Sequence, residues 1–255
     1  WANFQLPDGM VINIGYDITE HKRAEDALRK ISERTKLFAY SVSHDLKSPV
    51  IGIYGLVKRL HQVYADVLGE KGKTYCDQIL KAAEHLSALV AQINVYISTS
   101  TATLVIETVK LKDIMHMVRE EFSAQLGIRQ IKWSEPEHLP DLNADRIAIL
   151  RVLRNLIDNA LKYGGDHLTE LRFDYREGDG LHILSVSNDG TKIKKEHFER
   201  LFGPFQRYES ARGVEGAGLG LAIVKELVEQ HGGEVWAESA QEKWTTFHVS
   251  ISKNL

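Results

Sequence analysis

Three groups of residues in this sequence have types and spacings suited to handling phosphate or transferring a group. The first lies in FAYSVSHDLKSPVIGIYGL, residues 38–56, where His44, Asp45 and Lys47 interrupt an apolar, helix-like run. Val42, Leu46, Val50, Ile53, Val57 and Leu60 recur at spacings of three and four and form one apolar stripe, expected to be a packing face. At about 100° per residue His44 points away from that stripe. Pro49, five residues on, removes a backbone donor and crowds the preceding turn, which predicts a kink. An exposed histidine before a kink suits a reactive site, and the bland alternative is a solvated surface histidine.

The second group is in ILRVLRNLIDNALKYGG, residues 149–165. Asn155, Asn159 and Lys162 are spaced i, i+4, i+7 and share one band of a helix, opposite Ile149, Leu153, Leu156, Ile157 and Ala160. Two amides and a lysine are not the residues that best solvate a helix. Amide oxygens can coordinate a hard cation such as magnesium, and Lys162 can meet phosphate charge. In VEGAGLGLAIVKELVEQHGG, residues 214–233, Gly216, Gly218 and Gly220 open an amphipathic helix and leave its first N–H groups free to cradle phosphate. A dinucleotide fingerprint fails here, since its third glycine falls on Leu221 and no strand precedes it. The Walker pattern fails too, for no Gly-Lys-Ser/Thr follows.

These groups need a scaffold. Residues 1–19 read as two short β-rich runs around the turn LPDG, with Asp17 and Thr19 placed to cap a helix. Helical sequence then runs from about Glu20 to Leu68, with Ala24, Leu28, Ile31, Thr35, Phe38 and Val42 in heptad spacing. GEKGK is expected to break the helix. A second heptad run follows at Tyr75, Ile79, Ala82, Leu86, Leu89, Ile93 and Tyr96, and STSTAT, residues 98–103, has linker composition. A lone hairpin cannot cover both apolar stripes, so two copies are expected to pair as a four-helix bundle, making a homodimer. The remainder interleaves helical segments with strand-like LVIETV, IRQIKW, ELRFDY, HILSVS, EVWAES and TFHVSI, an α/β sandwich pattern.

At 255 residues, 43% hydrophobic and 26% charged, the composition is that of a globular multidomain chain without a 20-residue apolar span. A net charge of −3 favours neither nucleic acid nor an anionic membrane. The single Cys76 excludes an internal disulfide and, with no Cys/His metal spacing, points to a reducing cytoplasmic setting. The start at Trp1 suggests a fragment whose upstream sensor or membrane segment is missing.

Five blocks in order, SHDLKSP, NLIDNALKY, SNDGTKI, FGPF and GAGLGLAIVK, resemble the sensor histidine kinases of two-component systems over about residues 30–255. The opening hairpin and its DIT exit resemble the tail of a PAS sensor domain. The resemblance implies an α+β multidomain chain: a PAS remnant at 1–19, a dimerisation and phosphoacceptor hairpin at 20–100, and an ATP-binding α/β domain at 103–255. His44 matches the phosphoacceptor, and Asp45 the acid that orients and deprotonates its ring. Ser48 stands where many members carry Thr or Asn for dephosphorylating their partner. Asn155 and Asn159 match magnesium-binding amides, with Lys162 on phosphate and Tyr163 against the base or ribose. Gly216, Leu219, Gly218 and Gly220 match the nucleotide-binding hinge behind a lid of roughly residues 206–217, with Phe202 and Phe205 as an aromatic pair beneath it. ATP, Mg2+ and a response regulator are the implied cofactors and partner.

The adenine block departs from the family's Asp-x-Gly-x-Gly. Asn188 replaces the aspartate, Gly190 is kept and Lys192 replaces a glycine, while Trp244 replaces another glycine before TTF. These departures bear on adenine affinity and leave a rival reading, a dimeric signalling scaffold whose nucleotide pocket is degenerate.

Overall fold

The computed structural model describes residues 2–5, 11–14, 17–193, 195–206, 218–240 and 244–255. Strands β1 (Ala2–Gln5) and β2 (Val11–Ile14) form the expected antiparallel hairpin. Asp17 then accepts a hydrogen bond from the Thr19 backbone N–H at 2.8 Å, where helix α1 (Thr19–Val63) begins. Helix α2 (Gly69–Thr101) returns along it. GEKGK is therefore the first turn of α2, and the break lies at residues 64–68. Within this turn Glu70 pairs with Lys73, and its carbonyl accepts the Thr74 hydroxyl.

Within one chain the hairpin covers only part of the expected apolar stripe. Buried on it are Ser43 and Val50 of α1 and Cys76, Ala83, Val90 and Ile97 of α2, the latter at strict seven-residue spacing. Small residues at Ser43, Cys76 and Ala83 let the helix axes approach. Leu46, expected in the packing stripe, is 38% exposed, and Val42, Ile53, Leu60, Tyr75, Ile79 and Leu86 are exposed with it. The helices thus carry two apolar faces, one used internally and one open. Leu89, Ile93 and Tyr96, read as continuing the heptad run, pack instead against the core of the α/β region.

The α/β region begins with β3 (Ile106–Lys110), paired antiparallel with β5 (Asp141–Asp145). Helix α3 (Leu111–Ile128), β4 (Lys132–Ser134) and helix α4 (Arg146–Tyr163) come next. Strands β6 (Glu170–Gly178) and β7 (Leu181–Asn188), helix α5 (Gly220–Gln230), and strands β8 (Val235–Ala240) and β9 (Trp244–Ser252) complete it. The main sheet has the order β4-β6-β7-β9-β8; β4–β6 is parallel and the other pairs are antiparallel. Alternation along the strands sends Leu171, Phe173, Leu184, Val186, Phe247, Val249 and Ile251 to one face, where they join Ile149, Leu153, Leu156 and Ile157 of α4 and Ile223, Val224 and Leu227 of α5. This is the expected two-layer sandwich.

The helical and α/β regions meet at Thr99, which the linker reading did not anticipate. Residues 98–101 form the last turn of α2, and Thr99 is 1% exposed. Gln230 Nε2 donates to its carbonyl at 2.9 Å, and Arg151 Nη1 donates to its hydroxyl at 3.3 Å. Partners 131 and 52 positions away override the linker composition.

Candidate functional site

His44 lies on α1 with its side chain 75% exposed, away from the internal seam. Its Nδ1 is 3.3 Å from Asp45 Oδ1. Ser48, one turn further on, is also exposed, and Pro49 sits inside the continuous helix.

Helix α4 is started by Asp145. Its carboxylate accepts the Ala148 N–H and the Val105 N–H, both at 2.9 Å. Partial burial acts to raise its pKa, and these backbone hydrogen bonds outweigh it and hold the carboxyl below its usual range. The Asp145 N–H in turn reaches Nε2 of His231 at 3.1 Å, while His231 Nδ1 donates to the Leu227 carbonyl at 2.7 Å. That arrangement selects the neutral Nδ1–H tautomer and ties the start of α4 to the end of α5.

Asn155, half-buried, donates from Nδ2 to the Arg151 carbonyl at 2.8 Å. Its free oxygen faces α5: a Cβ built at Gly220 would stand 3.1 Å from Asn155 Oδ1. The amide face of one helix therefore abuts the N-terminus of another. Asn159, also half-buried, makes no side-chain hydrogen bond among the described residues. Lys162, expected on phosphate, pairs through Nζ with Asp158 at 2.6 Å on the same helix. Asp158 went unremarked in the sequence, although its i, i+4 spacing to Lys162 was a readable signal. Tyr163 is half-buried at the end of α4.

The block after β7 packs against that end. Gly190 lies so close to the α4 terminus that a Cβ there would stand 2.2 Å from the Gly164 carbonyl oxygen. The Thr191 N–H donates to the same carbonyl at 2.9 Å. Gly190, expected as a ligand-binding glycine, has a packing role that by itself requires glycine. Asn188 is 4% exposed. Its Oδ1 accepts the Gly190 N–H at 3.2 Å, and its Nδ2 donates to the Thr245 carbonyl at 3.4 Å. Thr245 lies opposite it on β9, and its buried hydroxyl has no hydrogen-bond partner among the described residues.

Asp189 is occupied elsewhere. It accepts the backbone N–H groups of Thr169 and Glu170, each at 2.9 Å, and the Thr169 hydroxyl. Burial acts against its charge, and these hydrogen bonds outweigh it, the Thr169 hydroxyl most, so that the pKa is lowered. Lys192 is exposed.

Gly218 adopts φ +70, and a Cβ there would stand 2.7 Å from the Gln206 carbonyl oxygen, so a left-handed turn and a close crossing both demand glycine. Leu219, expected to touch ligand, has its side chain buried in the core, leaving its backbone at the helix start. Gly220 is the first residue of α5. Gly216 and the lid, apart from Gln206, lie outside the described residues. The aromatic pair separates: Phe202 is buried edge-on to Phe247 with centroids 6.3 Å apart, whereas Phe205 is 59% exposed in a left-handed conformation, φ 61. Trp244, the first residue of β9, stacks under the Arg172 guanidinium at 4.4 Å.

Among the described residues no helix is long and apolar enough to cross a membrane, and no cluster of three or more His, Cys, Asp or Glu side chains could hold a metal. Amide oxygens remain the candidate cation ligands.

Residues 144–255 match the family described as histidine kinase-, DNA gyrase B-, and HSP90-like ATPase. The chain is 30% identical over 263 residues to the sensor histidine kinase WalK of Bacillus subtilis, covering 96% of this chain and 39% of that protein. It is 32% identical over 212 residues to the methanogenesis regulatory histidine kinase FilI of Methanothrix harundinacea, covering 82% of this chain and 23% of that one. It thus spans well under half the length of either relative. In fold, the crystal structure of full-length ShkA in complex with AMPPNP superposes with a TM-score of 0.67 at 23% identity, over 84% of this chain and 45% of that one. Residues 144–255 are accordingly a domain of the histidine kinase-, gyrase B- and HSP90-like ATPase family, and the helical hairpin ahead of them gives the chain the architecture of the sensor histidine kinases it is similar to.

Proposed function

We propose that this chain is the core of a sensor histidine kinase, transferring the γ-phosphoryl of magnesium-ATP to His44 and from there to an aspartate of a response regulator. The observation that carries this reading is the meeting of the α4 amide face with the glycine-opened N-terminus of α5, Asn155 Oδ1 against Gly220. Converging backbone N–H groups and amide oxygens suit a polyphosphate with its cation.

The residues fit the nucleotide at its other end too. A buried Thr245 hydroxyl without a partner among the described residues, beside the Asn188 amide, offers polar groups to a purine edge. Asn155 and Asn159 would hold magnesium, which neutralises phosphate charge as the bond to the leaving oxygen breaks. Asp45 beside Nδ1 favours the Nδ1–H tautomer of His44, leaving the Nε2 lone pair to attack phosphorus. The Nε2–P bond forms as the bond to the bridging oxygen of ADP breaks with its electron pair. The Nδ1 proton passes to Asp45. Exposure of His44 lets both the nucleotide and the regulator reach it.

The open apolar face of the hairpin supports pairing with a second copy in a four-helix bundle, which would bury Leu46, Ile53 and Leu60. The division into residues 1–19, 20–100 and 103–255 goes with this reading, as does Ser48 as a group acting on the partner's phosphoryl. Incubation with γ-labelled ATP tests the assignment. Acid-labile, alkali-stable label that disappears in His44→Gln, with dimerisation intact, is expected. Label retained in that variant would reject His44, and no ATP binding at all would favour the scaffold.

A further inference from the structure

Arg129 follows the last residue of α3, outside every block that the nucleotide reading uses, yet its guanidinium spans the end of the nucleotide helix. Nη1 donates to the Leu161 carbonyl at 2.6 Å and Nη2 to the Gly165 carbonyl at 2.5 Å. These two carbonyls bracket Lys162, Tyr163 and Gly164. No carboxylate pairs with Arg129 among the described residues. A cation here meets the negative end of the α4 dipole, taking the carbonyl of Leu161 in the last turn and that of Gly165 just beyond it, which also accepts the Leu168 N–H at 3.4 Å.

The turn that delivers Arg129 is itself unusual. Gln130, the next residue, has φ 53, a left-handed conformation that L side chains rarely adopt. Ile131 N–H then closes back to the Leu126 carbonyl at 2.9 Å. The third carbonyl in the group, Gly164, takes the Thr191 N–H, and Gly190 packs on it with no room for a Cβ. The position of the Asn188–Thr191 block is thus set by the same turn that Arg129 grips.

Building on the nucleotide reading above, we propose that Arg129 is a positioning residue of the ATP site: it locks the last turn of α4 so that Tyr163 and the Asn188–Thr191 block are held in register for the base. The effect passes through Gly164 and requires no contact between Arg129 and the nucleotide. Two parallel donors on a rigid plane are needed, so lysine, with one compact ammonium, cannot reproduce the grip.

The test uses the full chain and magnesium-ATP titrated calorimetrically, comparing Arg129→Lys and Arg129→Ala with a control at the far end of the sheet, Lys253→Ala, which breaks the Lys253–Glu177 pair. Loss of a hydrogen bond that orients the ligands of a metal site typically costs about 10–100-fold in metal affinity or activity, and that sets the scale for a supporting contact here. Both Arg129 variants are expected to weaken ATP binding by about tenfold or more, with free guanidinium at millimolar concentration restoring part of it in Arg129→Ala. Lys253→Ala should keep wild-type affinity whatever its melting temperature. Should Arg129→Ala fail to fold, Arg129→Lys decides alone. Wild-type affinity in a folded Arg129→Lys overturns the proposal while leaving the nucleotide reading intact. Absence of ATP binding in the unsubstituted chain overturns both.

Discussion

Asn188→Asp is the substitution for which the structure gives opposite expectations for the free and the nucleotide-bound protein. In the free protein the Asn188 amide is satisfied at both ends: its oxygen takes the Gly190 N–H and its nitrogen gives to the Thr245 carbonyl. A carboxylate can still accept from Gly190. Its second oxygen, however, would face the Thr245 carbonyl oxygen with no proton between two acceptors, at a site 4% exposed. Loss of that hydrogen bond and burial of an unmatched acceptor cost about 1–3 kcal/mol. For a domain of this size each kcal/mol lowers the melting temperature by about 2–4 °C. With ATP bound, an adenine amine would supply the missing donor, and a charged acceptor contributes about 1.5–3 kcal/mol against about 0.5–1.5 for a neutral one. The difference of ~1 kcal/mol corresponds to about fivefold to tenfold tighter binding. Scanning calorimetry with and without ATP, alongside titrations of both forms with ATP and GTP, is the assay. The expected pattern is a lower melting temperature without nucleotide, a larger stabilisation by ATP, and no gain for GTP. Unchanged ATP affinity would refute the placement of Asn188 at the adenine amine, and an unchanged melting temperature would refute the acceptor clash.

Gly190→Ala places a methyl 2.2 Å from a backbone oxygen that cannot swing aside, and should destabilise by about 1–3 kcal/mol and weaken ATP binding, read by melting and titration. Leu46→Ala, with the residue 38% exposed in a single chain, should leave the intrachain seam intact and raise the dimer dissociation constant, measured by sedimentation; an unchanged dimer would remove this face from the interface. His182, buried beside Tyr175, has a pKa lowered from 6.5, chiefly by burial. The unfolded chain takes up that proton first, so this contribution to stability is present above about pH 6.5 and is lost as pH falls through the folded value. His182→Gln should flatten melting temperature against pH in that window. Asp189, its pKa lowered, contributes stability that is lost as pH falls below the ordinary value of 3.8, and Asp189→Asn should remove that acid-limb slope.

The short-range features were readable because their geometry is local. Asn155, Asn159 and the residues opposite them share a helix, and 3.6-residue periodicity alone puts amides on one side and core on the other. The glycines at Gly218 and Gly220 mark a turn and a helix start wherever the rest of the chain goes. His44 is exposed for the same reason: its angular position excludes it from either apolar face. Strand β5 was less legible, since LNAD has little β character and is a strand through its pairing with β3.

By itself, the sequence determined the helical hairpin followed by mixed strands and helices, the amide face, the glycine-opened helix, the exposed histidine with its neighbouring acid, and the resemblance those blocks carry. Tertiary structure decided which of two apolar stripes closes the hairpin, since Ser43 and Cys76 are good seam residues only once two particular helices meet. It also decided that Asp189 is occupied by Thr169 and Glu170, that Thr99 docks on Gln230 and Arg151, and that Arg129 grips the end of α4. Each of those contacts joins residues 19 or more positions apart. Periodicity and local propensity constrain a residue's direction relative to its own helix or strand. They carry no information on which distant donor or acceptor will arrive there, and unmet polar groups are satisfied only by what the fold brings to them.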